Sequence, residues 1–187
     1  PVQIAVDSKG ILYVLERPAD FMRLSRYTPT VYKPEEGEIQ YTPSPTVIDE
    51  TFIVSFAAIA VNPANDHLFV HNGPLLITEL SAAPDNDVVT ETIGEDVLKI
   101  PTGSSVAVDA VQNRLYASDF ISGTGGVVRI FELSAPYDLI DTVDGGETPA
   151  GDFGTQPVIA ANEGTGEFFV YDGGEFASHD VSEFDAG

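Results

Sequence analysis

Cysteine is absent from the 187-residue chain. That excludes disulfides and thiolate sites, and leaves the redox compartment open. Basic residues are scarce: 8 Lys and Arg stand against 30 Asp and Glu, a formal net charge of −22. So acidic a surface repels phosphate backbones, so no nucleic-acid partner is expected, and anionic membrane surfaces are disfavoured for the same reason. Solubility is the plain reading of the excess acid; cation binding and a high-salt habitat are the sharper ones. No apolar run approaches the ~18 residues of a membrane helix, so no membrane insertion is expected. The chain opens with Pro1-Val2-Gln3-Ile4, without an initiator Met or the basic n-region of a signal peptide. The expectation is a mature or excised piece of an extracytoplasmic or secreted protein.

Catalytic signatures are missing too. There is no Gly-x-Ser-x-Gly elbow, no HExxH, no EF-hand loop and no phosphate-binding loop. Asp85-Asn86-Asp87 lacks the glycine and distal glutamate of a Ca²⁺ loop. Gly103-Ser104-Ser105 and the Gly-rich tip Ser122-Gly123-Thr124-Gly125-Gly126 read as loops. His67 and His71 lie four apart, but on a strand and its turn rather than on a helix, so they do not present two ligands to one metal. They and His179 read as surface or channel-wall residues. Nothing selects a glycosidase pair from among the acids.

What is present is a repeat. Val2-Gln3-Ile4-Ala5-Val6-Asp7, Ala58-Ile59-Ala60-Val61-Asn62, Ser105-Val106-Ala107-Val108-Asp109 and Val158-Ile159-Ala160-Ala161-Asn162 are apolar runs that each end in Asp or Asn. A short polar turn follows each, then a second apolar run: Ile11–Val14, His67–Val70, Arg114–Ala117 and Glu167–Val170. Val, Ile, Phe and Tyr dominate both runs, as buried strands prefer. The closing Asp or Asn can bond its own backbone two residues on and set the turn. Gly10, Asn65, Asn113 and Gly164 or Gly166 are placed to supply positive φ.

Third strands are expected at Phe21–Tyr27, Leu75–Leu80, Val127–Leu133 and Phe176–Val181. Two of them run into matching endings, Glu79-Leu80-Ser81-Ala82-Ala83-Pro84 and Glu132-Leu133-Ser134-Ala135-Pro136. Outer strands follow at Asp87–Ile93 and Asp138–Val143. In the first unit prolines blur the outer strand, leaving Gln40–Thr42 or Pro45–Ile48. Four antiparallel strands at this period describe a β-propeller blade, so the fold expected is all-β, with about four blades at 1–50, 51–98, 99–149 and 150–187 in an incomplete ring. A β-sandwich would not need the same cassette four times.

The cassettes Val2–Val14 and Ser105–Asp119 resemble NHL repeats, and the wider similarity is to NHL-like and YncE-like propellers of six or seven blades. The resemblance implies that this chain is a segment of a larger ring, with terminal blades exposing edges and apolar faces that favour self-association. A basic residue early in the third strand is present as Arg129 and Arg23 and absent from the second and fourth units.

Glu16, Asn72, Asp119 and Asp172 hold the position after the second strand. Around a propeller they would lie on one face, at the channel mouth. They read as a ligand or cation site, with Ca²⁺ as the cation that oxygen ligands suit, or as turn residues capping backbone groups. No cofactor and no metal site is otherwise expected. The leading functional expectation is a non-catalytic module binding a protein, peptide or glycan through its loops. The alternatives are a Ca²⁺-dependent hydrolase or lyase of lactonase type and a purely structural repeat.

Overall fold

The computed structural model describes residues 2–17, 22–49, 57–72, 76–84, 88–99, 105–173 and 179–185. The strands fall into four antiparallel blades. Blade 1 holds β1 (Gln3–Val6), β2 (Leu12–Glu16), β3 (Arg23–Tyr27) and β6 (Thr46–Asp49); blade 2 holds β7 (Ala57–Val61), β8 (Leu68–Asn72), β9 (Ile77–Leu80) and β10 (Val89–Ile93). Blade 3 holds β11 (Val106–Asp109), β12 (Arg114–Ile121), β13 (Gly125–Glu132) and β14 (Leu139–Val143); blade 4 holds β15 (Val158–Asn162), β16 (Glu167–Tyr171) and β17 (Val181–Asp185). The four first strands are neighbours in the order β1, β7, β11, β15. The result is a propeller-like ring of four blades that does not close.

One register repeats through the blades and explains the alternation of large and small residues. Ile59, Leu68 and Val70 of blade 2 pack on blade 1 together with Tyr13, Leu15 and Leu24. Val106, Val108 and Leu115 of blade 3 pack on blade 2 with Ala58, Phe69 and Ile77. Ile159, Phe168 and Val170 of blade 4 pack on blade 3 with Ala107, Tyr116 and Ile130. Branched residues of each inner strand therefore face the preceding blade, and Ala5, Ala60 and Ala107 face the following one. A blade is apolar on both faces because both are meant to be covered.

The turns follow the Asx logic. The Asp7 carboxylate accepts from Lys9 N at 2.9 Å and Ile11 N at 2.8 Å. Asn62 accepts from Ala64 N at 2.9 Å, Asp109 from Val111 N at 3.0 Å, and Asn162 from Gly164 N at 3.1 Å. Positive φ falls on Gly10, Asn113 and Gly166 as expected, but on Asp66 at 62° rather than on Asn65. The reason is local. Asn65 Oδ1 instead accepts from His67 N, and Asp66 closes the turn with its N–H on the Asn62 carbonyl at 2.8 Å.

One strand alternative is settled and one strand expectation needs correction. The outer strand of blade 1 is Thr46–Asp49, whereas Gln40 and Tyr41 belong to a separate hairpin of β4 (Pro29–Lys33) and β5 (Glu38–Tyr41). A 3₁₀ turn at Pro34–Glu36 and Gly37 at φ 71° join its strands, so the prolines shape a hairpin rather than interrupt a blade. The third strand of blade 4 begins at Val181, where the expected run ends; residues 176–178 of that run lie outside the described residues. Asp85–Asp87 and Gly103-Ser104 also lie outside them.

Candidate functional site

Glu16 and Asn72 end β2 and β8, Asp119 lies inside the long strand β12, and Asp172 follows β16 directly. Glu16, Asp119 and Asp172 each bond to other groups of the fold. Glu16 Oε1 accepts from Arg23 Nε at 2.9 Å, and Arg23 Nη2 lies 2.7 Å away. Asp119 Oδ2 accepts from Arg129 Nε at 3.2 Å, with the aspartate side chain 1% exposed and the arginine 11%. Arg129 also donates to Thr142 Oγ1 at 2.8 Å, tying the outer strand of blade 3 to the same pair. Blade 2 replaces this arrangement with neutral residues: Asn72 stands at the register of Asp119, Thr78 at that of Arg129, and Leu76 at that of Arg23. Arginine and carboxylate thus occur together in blades 1 and 3 and are absent together in blade 2.

A second contact links the set to the blade connections. Asp119 Oδ1 accepts from the backbone N–H of Lys99 at 3.0 Å. Asp172 Oδ1 accepts from the backbone N–H of Gly154 at 2.6 Å. Lys99 and Gly154 occupy equivalent places: each follows a buried plug, Leu98 or Phe153, in the segment that enters the blade. Each connection leaves its outer strand through a glycine of positive φ, Gly94 or Gly145. The carboxylate fixes the incoming chain while the plug fills the space between blades. The first cue in the sequence is the spacing from Gly94 to Leu98, followed 21 residues later by Asp119. That cue is obscured in the next blade because its connection is longer.

Among the described residues, no three His, Asp or Glu side chains gather in a way that could hold a metal ion. His67 and His71 have separate partners. His67 Nδ1 lies 2.8 Å from Glu79, which is buried and also accepts from Thr90 Oγ1 at 2.9 Å and Tyr137 OH at 2.8 Å. Burial and the Glu79 carboxylate push the Tyr137 phenol pKa up. His71 donates from Nδ1 to the Ser105 carbonyl at 3.3 Å across the blade 2–blade 3 boundary; burial pushes its pKa down to about 4, against the opposing pull of that bond and Asp119.

Among the described residues, a run of surface hollows lies elsewhere, along β17. Among the described residues this strand pairs only with β16. Three hollows of about 330, 480 and 190 Å³ share Phe184. Phe184 stacks on Phe168 at a centroid distance of 5.0 Å and meets Phe153 edge-on at 6.0 Å, which gives the groove an aromatic floor. Asp141, Asp144 and Glu147 line one wall, Glu183 and Asp185 the strand side, and Arg114 is the one basic lining residue. The groove therefore combines apolar contact, negative potential and a row of strand backbone groups. Sequence reading places the end of the chain after a third strand, but the groove needs the packing of Phe184 against blade 3 to be seen.

Compared with models of known protein families, the chain matches none, and a search of curated proteins finds no significant match.

Proposed function

We propose that this chain is a non-catalytic, NHL- or YncE-like propeller module that binds an extended cationic peptide along the edge of blade 4. The carrying observation is that, among the described residues, β17 pairs on one side only and runs beside an acid-lined aromatic groove. Blades 1, 2 and 3 each have a fourth strand antiparallel to the third. A peptide added to β17 would take that fourth place, with main-chain hydrogen bonds supplying affinity and alternate side chains supplying specificity. In blades 2 and 3 the equivalents of Phe184 are Leu80 and Phe131, and the outer strand sets Val89 and Leu139 opposite them, so the same register calls for an apolar residue over Phe184. The outward alternation meets Asp141, Asp144, Glu147, Glu183 and Asp185, which favour Lys or Arg.

Fluorescence anisotropy tests the reading with a labelled hexapeptide of alternating Val and Lys. The controls are its Glu counterpart and a peptide of the same charge with proline at a central Val position. Tighter binding of the Val-Lys peptide than of either control is the expected result, with the difference lost in Phe184→Ala. Equal binding of the proline peptide would show attraction by bulk charge alone and end the proposal, because proline removes a strand donor while keeping every positive charge.

A further inference from the structure

Charge is unevenly spread along the chain, and the unevenness falls on one joint. Residues 1–33 hold five of the eight Lys and Arg, whereas residues 130–187 hold 13 Asp and Glu and no Lys or Arg. The strand pairings follow the same division. In blade 1 Glu16 stands directly opposite Arg23, and in blade 3 Arg114 stands opposite Glu132. In blade 2 Glu79 stands opposite Glu91, and His67 lies 2.8 Å from Glu79. Blade 4 sets Glu167 opposite Asp185. Like charges directly opposite on antiparallel strands destabilise the pairing.

Strand β17 meets further acid across the boundary with blade 3. Asp185 shares one hollow with Asp141 of β14, and Asp185 and Glu183 share another with Glu147. Asp144 adds to the blade 3 wall, and Arg114 is the one basic lining residue. These five carboxylates are all exposed. Beneath them the joint is apolar: Phe184 stacks on Phe168 and meets Phe153, and all three pack with Ile130 of blade 3. Two forces of opposite sign therefore act on one contact, aromatic packing below and carboxylate repulsion above.

We infer that the outer joint between blades 3 and 4 is salt-dependent: it loosens at low ionic strength and tightens as counterions screen its carboxylates. Exposed charges interact over a Debye length of roughly 30 Å at 0.01 M salt and 3 Å at 1 M. At the lower value each carboxylate of the joint is repelled by the others and by the remaining acid of a chain carrying −22. At the higher value little of that repulsion survives, whereas the aromatic packing is kept. Blade 1 supplies the internal contrast. Its cross-strand pair, Glu16 with Arg23, is attractive, so screening weakens it. Salt thus acts on the two blades in opposite directions. The inference does not rest on the peptide reading, since it concerns the charges of the groove with nothing bound.

Residue-resolved amide exchange at pH 7 in 0.01 and 1 M KCl tests it. The N–H groups bonded between β16 and β17 should exchange about tenfold more slowly at 1 M, while those between β2 and β3 change by no more than about twofold. Screening alone eases the approach of hydroxide to an acidic surface, so slower exchange at high salt reports order. Asp141→Asn/Glu147→Gln/Asp185→Asn removes three charges and keeps the side-chain shapes. It should show the high-salt protection already at 0.01 M; Glu183→Gln alone should move protection in the same direction if the triple variant fails to fold. Equal gains in blades 1 and 4 would mean general salting-out. Exchange that ignores salt would mean that the repulsion is immaterial. Full protection from 2 mM CaCl₂ at constant ionic strength would mean a bound cation. Each of these three results overturns the inference.

Discussion

The backbone N–H of Lys99 donates to the Asp119 carboxylate at 3.0 Å across 20 residues of chain, and the same carboxylate holds Arg129 at 3.2 Å. One side chain therefore anchors both the connection entering blade 3 and the strand after it. Breaking a buried pair by removing one partner strands the other charge, at a cost of about 3–5 kcal/mol. Asp119→Ala and Arg129→Leu should each fall in that range in urea unfolding. The double variant Asp119→Asn/Arg129→Thr reproduces the neutral Asn72 and Thr78 that blade 2 carries at these registers, and should cost no more than about 1 kcal/mol, since no buried charge is left. Additive losses in the double variant would contradict the latch.

Tyr13 and Tyr116 are equivalent residues with different hydroxyl environments. Tyr13 OH donates to Asp7 Oδ2 at 3.3 Å. Among the described residues, Tyr116 OH and Asp109 Oδ2 are both buried without a hydrogen-bond partner, and burial, followed by the Asp109 charge, pushes the Tyr116 pKa up to about 12. Removing a bonded hydroxyl loses about 1 kcal/mol, whereas removing an unbonded one relieves a desolvation penalty. Tyr13→Phe should lower the urea midpoint and Tyr116→Phe should hold or raise it. Equal losses would show that the two hydroxyls are bonded alike.

His71 makes stability depend on pH. Its pKa is about 4 in the fold against 6.5 for the free side chain. Between those values the unfolded chain takes up a proton that the folded chain does not, so stability falls as pH drops through this window and levels off below it. A shift of this size corresponds to about 3 kcal/mol at roughly 1.4 kcal/mol per pH unit. Most of the loss should be visible between pH 7 and 5, above the range in which ordinary carboxylates titrate. His71→Leu, with the residue that blade 1 carries at this register as Leu15, should flatten the slope; an unchanged slope would assign it to other groups.

Gly126 tests the joint between blades 3 and 4. A Cβ there would sit 2.1 Å from the Gly154 carbonyl oxygen and 2.8 Å from the Pro157 ring. Gly154 is itself held by Asp172 on its other side and cannot retreat freely. Gly126→Ala should cost about 2–3 kcal/mol, the range for overpacking a tight site. A neutral thermal midpoint would mean that the connection is looser than its hydrogen bonds indicate.

The repeat was legible because strand, Asx turn and strand are local in sequence. Asp7, Asn62, Asp109 and Asn162 bond backbone two residues ahead, and that arithmetic needs no tertiary information. The hairpin Pro29–Tyr41 was obscured because its prolines resemble interruptions until Tyr32 is seen to occupy the space beside Gly10. The partners of Asp119 and Asp172 were hidden for a different reason. Each is a backbone N–H about twenty residues upstream, and a backbone donor leaves no mark in the side-chain sequence. The groove at Phe184 depends on Phe153 of the connection entering blade 4 meeting Phe168 and Phe184 of that blade in space, which periodicity within a blade does not report.

Amide hydrogen exchange along β17 is the most direct test of the proposed peptide site. In the free protein the N–H groups of residues 181–184 that point away from β16 should exchange quickly, because among the described residues no further strand pairs with that edge. The alternating Val-Lys peptide should slow them selectively and leave β1, β7 and β11 unchanged. Protection confined to other strands, or a peptide that binds without protecting this edge, would contradict strand addition at blade 4.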